Sequence, residues 1–156
     1  MRRQTSVSKW QRHCVSATIK TDDQELMGKW LCDKIGGTYV PGTGTYIGLE
    51  RNGELCAVVG YEDFNGASVR MHVAAAEGKR WMVREYLWFC FYYPFDQLGV
   101  KQIIGLVDSS NARALAFDEH LGFKCVAVIP EACKNGDLVI LTMGRSECRF
   151  LSIKRP

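Results

Sequence analysis

The stretch that decides the fold runs from Lys101 to Phe123 and reads KQIIGLVDSSNARALAFDEHLGF. Its apolar run, Ile103 to Val107, has the length and branching of a strand buried on both faces. The polar residues 108–111 break that run and supply capping groups for a helix from Asn111 to Leu121. The Gly-Phe pair that follows predicts a left-handed C-cap and a ring packed back onto the helix. This order of strand, polar turn and helix can build a cofactor site.

The segment upstream predicts a three-stranded antiparallel meander over residues 45–74. Asn52-Gly53 and Asn65-Gly66 separate strand-like runs there, and Asn-Gly is a strong hairpin signal. A largely apolar helix, Arg80 to Tyr93, follows and is expected to end at Pro94. One helix between two strands demands a parallel, right-handed crossover. We therefore predict an α/β (α+β) fold: a mixed, mostly antiparallel sheet with a central parallel strand pair, flanked by helices.

The remaining elements are a first strand, a helix and a closing hairpin. Cys14 to Ile19 could form the strand, and Thr21 with Gln24 makes a capping box for a helix that ends near Ile35. The closing hairpin turns around Asn135-Gly136. Its strands are Cys125–Ile129 and Leu138–Met143, and the apolar face of the first helix comprises Leu26, Met27, Trp30, Leu31 and Ile35.

The 156 residues are most simply a single domain, 1–156, with a flexible basic N-terminus over residues 1–12. The formal charge is +3, and basic residues cluster at both ends of the chain. Because no aromatic residues interleave with a basic stripe, solvated tails are favoured over contact with nucleic acid or an acidic partner.

The seven cysteines form an odd set without a Cys-x-x-Cys pair, so most are expected to be buried thiols and no metal site is predicted. This cysteine usage favours a reducing cytoplasm, which would be the host cytoplasm for a phage protein. No signal-peptide pattern or membrane-spanning run is present, so we expect a soluble protein without a membrane partner.

Beyond these patterns, the chain resembles the GNAT superfamily of acyl-coenzyme A dependent N-acyltransferases over roughly residues 45–143. The most specific piece is Asn111-x-x-Ala114 followed by Leu121-Gly122-Phe123, and the hairpins agree in order and spacing. The chain is particularly similar to short members carried by tailed bacteriophages and bacteria, through YPFDQLGVKQI at 93–103 and ECRFL at 147–151.

The resemblance implies that acetyl-coenzyme A (acetyl-CoA) binds where the strands ending near Ala74 and Val107 splay apart. The family's glycine-rich pyrophosphate loop corresponds to residues 75–81, where only one glycine remains and an acidic residue, Glu77, stands beside it. A plain strand end and a solvated helix start are the alternative explanations for the alanines and the basic residues of this region. The implied cofactor-binding residues are Val73, Ala74, Ala75, Gly78, Lys79, Arg80, Asn111, Arg113, Ala114 and Phe117.

For catalysis, His72 is the first candidate general base, because its pKa range suits that work near neutral pH and it precedes the expected splay. Glu50 and Asp108 could act instead through water. The resemblance implies an oxyanion donor in the backbone N–H of Val73 or Ala74. Where many family members carry a tyrosine acid, this chain has Asp118. Either of two tyrosines elsewhere could fill that role: Tyr61 or Tyr39.

The first hypothesis is therefore an acetyl-CoA dependent N-acetyltransferase that acts on a primary amine of a protein or small molecule. The alternative is a non-catalytic GNAT-fold module, such as a phage protein that binds a host or virion partner. A nucleic-acid-associated protein is a third, weaker hypothesis, and a homodimer stays open.

Overall fold

A computed structural model describes residues 16–153, which form one seven-stranded sheet with helices on both faces. The expected basic tails, Cys14 and the first part of the predicted N-terminal strand lie outside the described residues. A π-helical turn extends the second helix, and two 3-10 turns follow the last strand. The elements are β1 (Thr18–Lys20), α1 (Gln24–Ile35), β2 (Gly44–Arg51), β3 (Glu54–Glu62), β4 (Ser68–Ala75), α2 (Arg84–Tyr92), β5 (Gln102–Asp108), α3 (Ala112–Leu121), β6 (Lys124–Ile129) and β7 (Leu138–Gly144).

The strands lie in the order β1-β2-β3-β4-β5-β7-β6. β4 and β5 are parallel neighbours, and the other neighbouring strands pair antiparallel. The predicted mixed sheet with a central parallel pair is therefore confirmed. Among residues 16–153, no helix is long and apolar enough to cross a bilayer.

Both predicted hairpins of the meander form, but their loops differ. Asn52 and Gly53 have φ of 52° and 76°, as a tight two-residue turn between β2 and β3 requires. The second loop is longer and spans residues 63–67, where the Asn65 side chain accepts hydrogen bonds from the N–H groups of Ala67 and Ser68. This loop length sets the register in which β4 lies against β3.

The predicted helix after β5 is confirmed at both ends. The Asn111 side chain accepts a hydrogen bond from the N–H of Ala114 at 3.1 Å, and Gly122 adopts φ 114° beyond the last turn. The N–H groups of Gly122 and Phe123 donate to carbonyls of that turn, and the Phe123 ring is buried. These caps fix the direction in which α3 leaves β5.

The two faces of the sheet carry separate cores. α2 and the end of α3 pack on one face, which Val69 and Met71 of β4 share. α1 packs on the other face against Tyr46 and Ala74. Strand alternation explains the split, because successive side chains of β4 point to opposite faces. The face on which a β4 side chain lies therefore decides which helix it meets.

The first helix differs from its prediction in cap and in face. Asp23, not Thr21, is the N-cap, because its side chain accepts a hydrogen bond from the N–H of Leu26. The Gln24 side chain donates to the Thr21 carbonyl and also bonds the backbone N–H and carbonyl of Tyr46 on β2. This contact orients α1 so that Gly28 and Cys32 are buried, whereas two residues of the predicted apolar face are exposed. Those residues are Leu26, 48% exposed, and Ile35, 46% exposed.

The second helix begins and ends later than predicted. Residues 80–83 are not helical, and Pro94 does not stop the chain, which continues as a π-helical turn over Tyr93–Gln97. Proline has no N–H to donate to the carbonyl of Cys90, four residues earlier. The Tyr61 hydroxyl donates to that carbonyl instead. A contact distant in sequence thus makes the proline tolerable inside a helical run.

Candidate active site

A crevice opens between β4 and β5, because their pairing stops before either strand ends. The parallel register includes Ser68 with Gln102 and stops at Arg70 with Ile104. β4 nevertheless continues to Ala75 alongside β3, and β5 continues to Asp108 alongside β7. Within residues 16–153, no strand pairs with the backbone groups that face one another beyond Arg70. This is the splay that the sequence resemblance implied.

On the α1 face of the crevice, His72 belongs to a charged cluster. It lies two residues beyond the last β4–β5 pair, and its Nε2 atom is 3.4 Å from the Glu62 carboxylate. Arg70 pairs with the same Glu62 oxygen at 2.9 Å and with Asp63 at 3.0 Å. The register of β3 and β4 places Glu62 opposite Arg70, so this cluster follows directly from the hairpin.

Burial is the main cause that lowers the pKa of His72, and Arg70 lowers it further, whereas Glu62 opposes the change. The imidazole is therefore largely neutral at neutral pH, which is the state that accepts a proton. Nε of Arg70 is buried and has no hydrogen-bond partner among the described residues. His72 thus combines the chemistry of a base with a position at the crevice.

On the opposite face, Asp118 presents a lone carboxyl group. Its Oδ2 atom lies 3.7 Å from the position that a Cβ atom on Gly105 would occupy, and Gly105 is the first β5 residue beyond the last pair with β4. No hydrogen bond or ion pair to its side chain is present among residues 16–153. Burial raises the pKa of Asp118 to about 6. A part of the Asp118 population therefore keeps its proton near neutral pH.

The end of β4 combines small side chains with open backbone. Val73 packs on the α2 face, and Ala74 packs on the α1 face. Ala75 and Ala76 are half-buried, and the N–H of Ala76 donates to the Cys56 carbonyl at 2.8 Å. An extended ligand could lie along this edge without meeting a bulky side chain.

Beyond β4, a basic cleft of about 540 Å³ lies beside the start of α2. Lys79 pairs with Glu54 at 3.3 Å, and Nε of Arg51 donates to the Arg80 carbonyl at 3.1 Å. No side chain caps the first turn of α2. Its N–H groups and the nearby cations suit a phosphate group. The cleft is lined by Arg51, Lys79, Arg80, Trp81, Met82 and Val83.

The loop after β4 also contacts α3. The ring centroids of Trp81 and Phe117 are 5.5 Å apart, so an aromatic pair joins the cleft to the helix beyond the crevice. Gly78 adopts φ 68°, a left-handed conformation that favours glycine. The other three residues predicted on α3 lie at its start, where Asn111 and Arg113 are exposed and Ala114 is half-buried.

No protein-family model matches the sequence, and no curated protein is similar enough to count as a relative. Solved structures do match. A mutant form of the spermidine N-acetyltransferase SpeG from Vibrio cholerae superposes with a TM-score of 0.69 at 14% identity, over 87% of this chain and 96% of that one. N-acetyltransferase PseH from Campylobacter jejuni gives 0.57 at 16% identity, over 83% and 98%. The chain has the GNAT fold. The narrower resemblance to tailed-phage proteins stays a prediction.

Within this GNAT fold, the other two predicted bases lie away from His72. Glu50 is opposite Leu55, toward the far end of β2, and its carboxylate is 4.0 Å from Nζ of Lys20. Tyr46 is level with the Gly60–His72 pair, so Glu50 is displaced along β2 by roughly 13 Å at about 3.3 Å per residue. A direct partnership between Glu50 and His72 is excluded by this register.

Asp108 lies at the mouth of the crevice, but its carboxylate is engaged in hydrogen bonds to backbone N–H groups of the neighbouring loops. Its carboxylate accepts hydrogen bonds from the N–H groups of Ser110 at 2.9 Å and Asn135 at 3.4 Å, and these bonds lower its pKa, that of Ser110 most. Of the two tyrosines, Tyr61 is buried with its hydroxyl on the Cys90 carbonyl, and burial holds its pKa well above the usual value. Tyr39 packs against Tyr46 at a centroid distance of 6.2 Å.

Sequence reasoning missed three charged residues that the GNAT fold brings to the site: Glu62 and Asp63 beside His72, and Arg51 in the basic cleft. The length of the second meander loop was the signal for Glu62, because a link over residues 63–67 places Glu62 opposite Arg70. No comparable signal existed for Arg51, which reaches the cleft from the far end of β2.

Proposed function

We propose that this protein is an acetyl-CoA dependent N-acetyltransferase that transfers the acetyl group directly to a primary amine in a ternary complex. One observation carries the proposal: β4 and β5 separate after Arg70 and Ile104 while both strands continue. A sheet that leaves backbone groups unpaired at its centre loses hydrogen bonds unless a ligand or water fills the gap.

The residues along the crevice fit the parts of acetyl-CoA. The pantetheine arm is a chain of amides, and the open edge of β4 at Val73 to Ala75 can bond it as a neighbouring strand would. Asn111 uses its Oδ1 atom for the cap of α3, so its NH₂ group is available to a carbonyl of the arm. Arg51, Lys79 and Arg80 line the basic cleft that we assign to the phosphates, and Gly78 directly precedes Lys79. On α3, we assign Arg113, Ala114 and Phe117 to the same ligand.

When bound, acetyl-CoA would supply an activated acyl group: the acceptor nitrogen bonds to the carbonyl carbon as the carbon–sulfur bond breaks. A cationic acceptor first gives up one proton to solvent, and His72 takes the second proton, which the neutral amine nitrogen loses as the amide forms. The backbone N–H of Val73 or Ala74 donates to the carbonyl oxygen as negative charge develops there. Asp118 gives a proton to the departing sulfur, so that neutral amide and thiol products result.

The two faces of the sheet separate these proton transfers. His72 lies on the α1 face, with Glu62 and Arg70, whereas Asp118 lies on the α3 face against Gly105. An acceptor that approaches from the α1 side therefore meets the base, and the thiol departs toward the acid. With this arrangement one crevice can hold the amine and the thioester next to each other, and the base and the acid are two separate side chains.

The acceptor face favours a cationic amine. Glu62 and Asp63 bring two carboxylates against one guanidinium, that of Arg70, so the cluster carries excess negative charge when His72 is neutral. Spermidine, which is the substrate named for the Vibrio cholerae structure, belongs in a panel of test amines together with lysine and α-amino peptides.

Isothermal titration calorimetry with acetyl-CoA tests the proposal. We expect saturable binding of one acetyl-CoA per chain, followed by release of free thiol when an accepted amine from the panel is added. Absence of binding at millimolar acetyl-CoA would favour the alternative, a non-catalytic GNAT-fold module.

Asn111→Asp is the matched variant for the crevice. Aspartate keeps the acceptor that caps α3 but replaces the NH₂ donor with an anion. We expect stability close to that of the wild type and about tenfold weaker acetyl-CoA binding, since the lost hydrogen bond and the carboxylate now facing a carbonyl together cost roughly 1–2 kcal/mol. Equal affinity in both proteins would remove Asn111 from the binding site.

A further inference from the structure

His72 has two ring nitrogens, and the structure distinguishes them. Nε2 faces the Glu62 carboxylate at 3.4 Å, and the same carboxylate oxygen is held by Arg70 at 2.9 Å. A carboxylate that pairs with a guanidinium is ionised and can only accept hydrogen bonds. A neutral imidazole carries one proton, which is held on the nitrogen that faces an acceptor. The other nitrogen, Nδ1, then has the free lone pair.

We propose that Glu62 is a positioning residue that keeps the proton of neutral His72 on Nε2 and leaves Nδ1 to accept the proton of the amine. The base role of His72 rests on the proposed function, whereas the choice of tautomer rests on the contacts of Glu62 alone. In this role Glu62 works through the His72 ring. It acts by fixing the ring and by stabilising the imidazolium that forms when the amine proton arrives.

Among the described residues near this pair, no other carboxylate competes with Glu62 for the His72 ring. Asp63, from the loop after β3, pairs with Arg70, which is the local cation. Besides burial, the charge of Glu62 contributes to raising the pKa of Cys32 on α1 and of Tyr46 on β2. Burial raises the pKa of the Cys32 thiol, and that of Tyr46 to about 12, so both stay neutral near pH 7. Glu62 is thus the carboxylate in contact with the ring.

Nitrogen-15 NMR of the histidine-labelled, full-length protein tests the tautomer without any substrate. The chain has three histidines, and the signals missing from His72→Gln assign the ring of interest. At a pH above its pKa, we expect His72 to show a protonated Nε2 and an unprotonated Nδ1. A protonated Nδ1 as the major form would overturn the proposal, whether or not the protein binds acetyl-CoA.

Glu62→Gln provides the second test, and Glu25→Gln is its matched control. Gln keeps an oxygen acceptor for Arg70 but removes the negative charge, so the His72 pKa should fall by about 1 unit. Glu25 pairs with Lys29 on α1 and does not contact His72, so its variant should leave that pKa unchanged. An unchanged His72 pKa in Glu62→Gln would contradict the role assigned to Glu62.

The pH profile of kcat/KM links the tautomer to catalysis. The base must be neutral, so the acid limb follows the pKa of His72 and should shift to lower pH in Glu62→Gln, with a lower plateau because the base is weaker. A residue with only a structural role would lower the plateau but leave the limb in place. If the acid limb does not shift in Glu62→Gln while NMR gives the expected tautomer, His72 is not the base. The proposed mechanism then fails, whereas the tautomer assignment stands.

Discussion

Asp118 is an uncommon kind of residue for a helix surface, because it is a carboxyl group with no partner among residues 16–153. Burial against Gly105 raises its pKa to about 6, and no cation or N–H group compensates within that described range. An ionised carboxylate in that place costs free energy that a solvated one would not. The residue destabilises the fold, and in the proposed mechanism it is the group that gives a proton to the departing sulfur.

Asp118→Asn separates these two effects. Because the folded-state pKa lies above the ordinary value, the folded protein holds the proton more tightly, and its stability falls as the pH rises toward 6. The variant lacks this penalty, so at pH 7.5 we expect its free energy of unfolding to exceed that of the wild type by about 1 kcal/mol, after allowance for partial exposure, and its unfolding temperature to be higher. At pH 4 the advantage should vanish. Thermal unfolding at both pH values measures the difference.

The same variant should lose catalytic rate. Without a proton for the sulfur, kcat is expected to fall about a hundredfold, at the low end of the range for general acid catalysis, while acetyl-CoA affinity stays unchanged. A variant that is more stable yet slower would identify Asp118 as a residue kept for chemistry. Wild-type kcat in Asp118→Asn would leave its burial without a catalytic explanation.

The position of Asp118 was readable in the sequence, and its environment was not. The count from Asn111 along the helix located the residue where a tyrosine commonly stands in similar proteins. Its raised pKa depends on the closeness of α3 to a glycine on β5, which is a tertiary distance. The neutral state of His72 likewise follows from burial, which strand alternation alone does not determine.

At the scale of elements, the approach of α1 to the sheet depends on glycines. An ideal Cβ on Gly28 would lie 2.4 Å from the Tyr39 ring and 2.9 Å from that of Tyr46, and one on Gly60 would lie 2.5 Å from Leu31. These positions bring α1 close enough to cover the face that carries His72. A larger residue at any of them would push the helix away from the acceptor side.

Gly28→Ala tests this packing. Alanine gains about 1 kcal/mol of helix propensity over glycine, but the overlap with two rings costs about 1–3 kcal/mol. We expect a net loss of about 1 kcal/mol in urea unfolding. Gly37→Ala is the control, because its nearest atoms would be 3.9 Å from the new Cβ, and it should change stability by less than about 0.5 kcal/mol. A stabilised Gly28→Ala would mean that α1 is free to shift.

The segment between β4 and α2 gives a second prediction at this scale. We expect the double variant Lys79→Gln, Arg80→Gln to bind acetyl-CoA about tenfold to a hundredfold more weakly, because two charge-assisted contacts to phosphate are lost. Acetyl-pantetheine has no phosphate groups, so its rate of transfer should not change. Lys34→Gln, a neutralisation on α1, is the control for net charge.

Equal losses with acetyl-CoA and acetyl-pantetheine would contradict a phosphate role for this pair. The affinity difference should also shrink as the salt concentration rises, since exposed charges are screened.

Elements whose signals are local were predicted well, and those fixed by distant contacts were not. Asn52-Gly53 and Gly122 enforce backbone angles by themselves, so the tight hairpin and the end of α3 were readable. The start of α1 depends on a bond from Gln24 to β2, and the path through Pro94 depends on Tyr61. Neither partner is near in sequence, so both helix limits were misplaced.

At the scale of the whole molecule, the sheet carries one gap at its centre. β4 is held on one side by β3, and β5 is held on one side by β7, so the opening between them does not loosen either strand. α1 and α2 close the two faces around it. The topology could be predicted from the crossover rule and the hairpins, whereas the point at which pairing stops could be inferred only by resemblance.

The separation of β4 and β5 also affects how fast backbone amide hydrogens exchange with solvent. Amide hydrogens between two paired strands are shielded, but those of the last residues of β4 and β5 that point into the gap face no paired strand among residues 16–153. In the free protein they should exchange with deuterium within seconds, while amides of the β2–β3 ladder persist. Bound acetyl-CoA would slow the exchange of these amides selectively. Deuterium uptake at the ends of β4 and β5 would therefore report whether the gap is occupied.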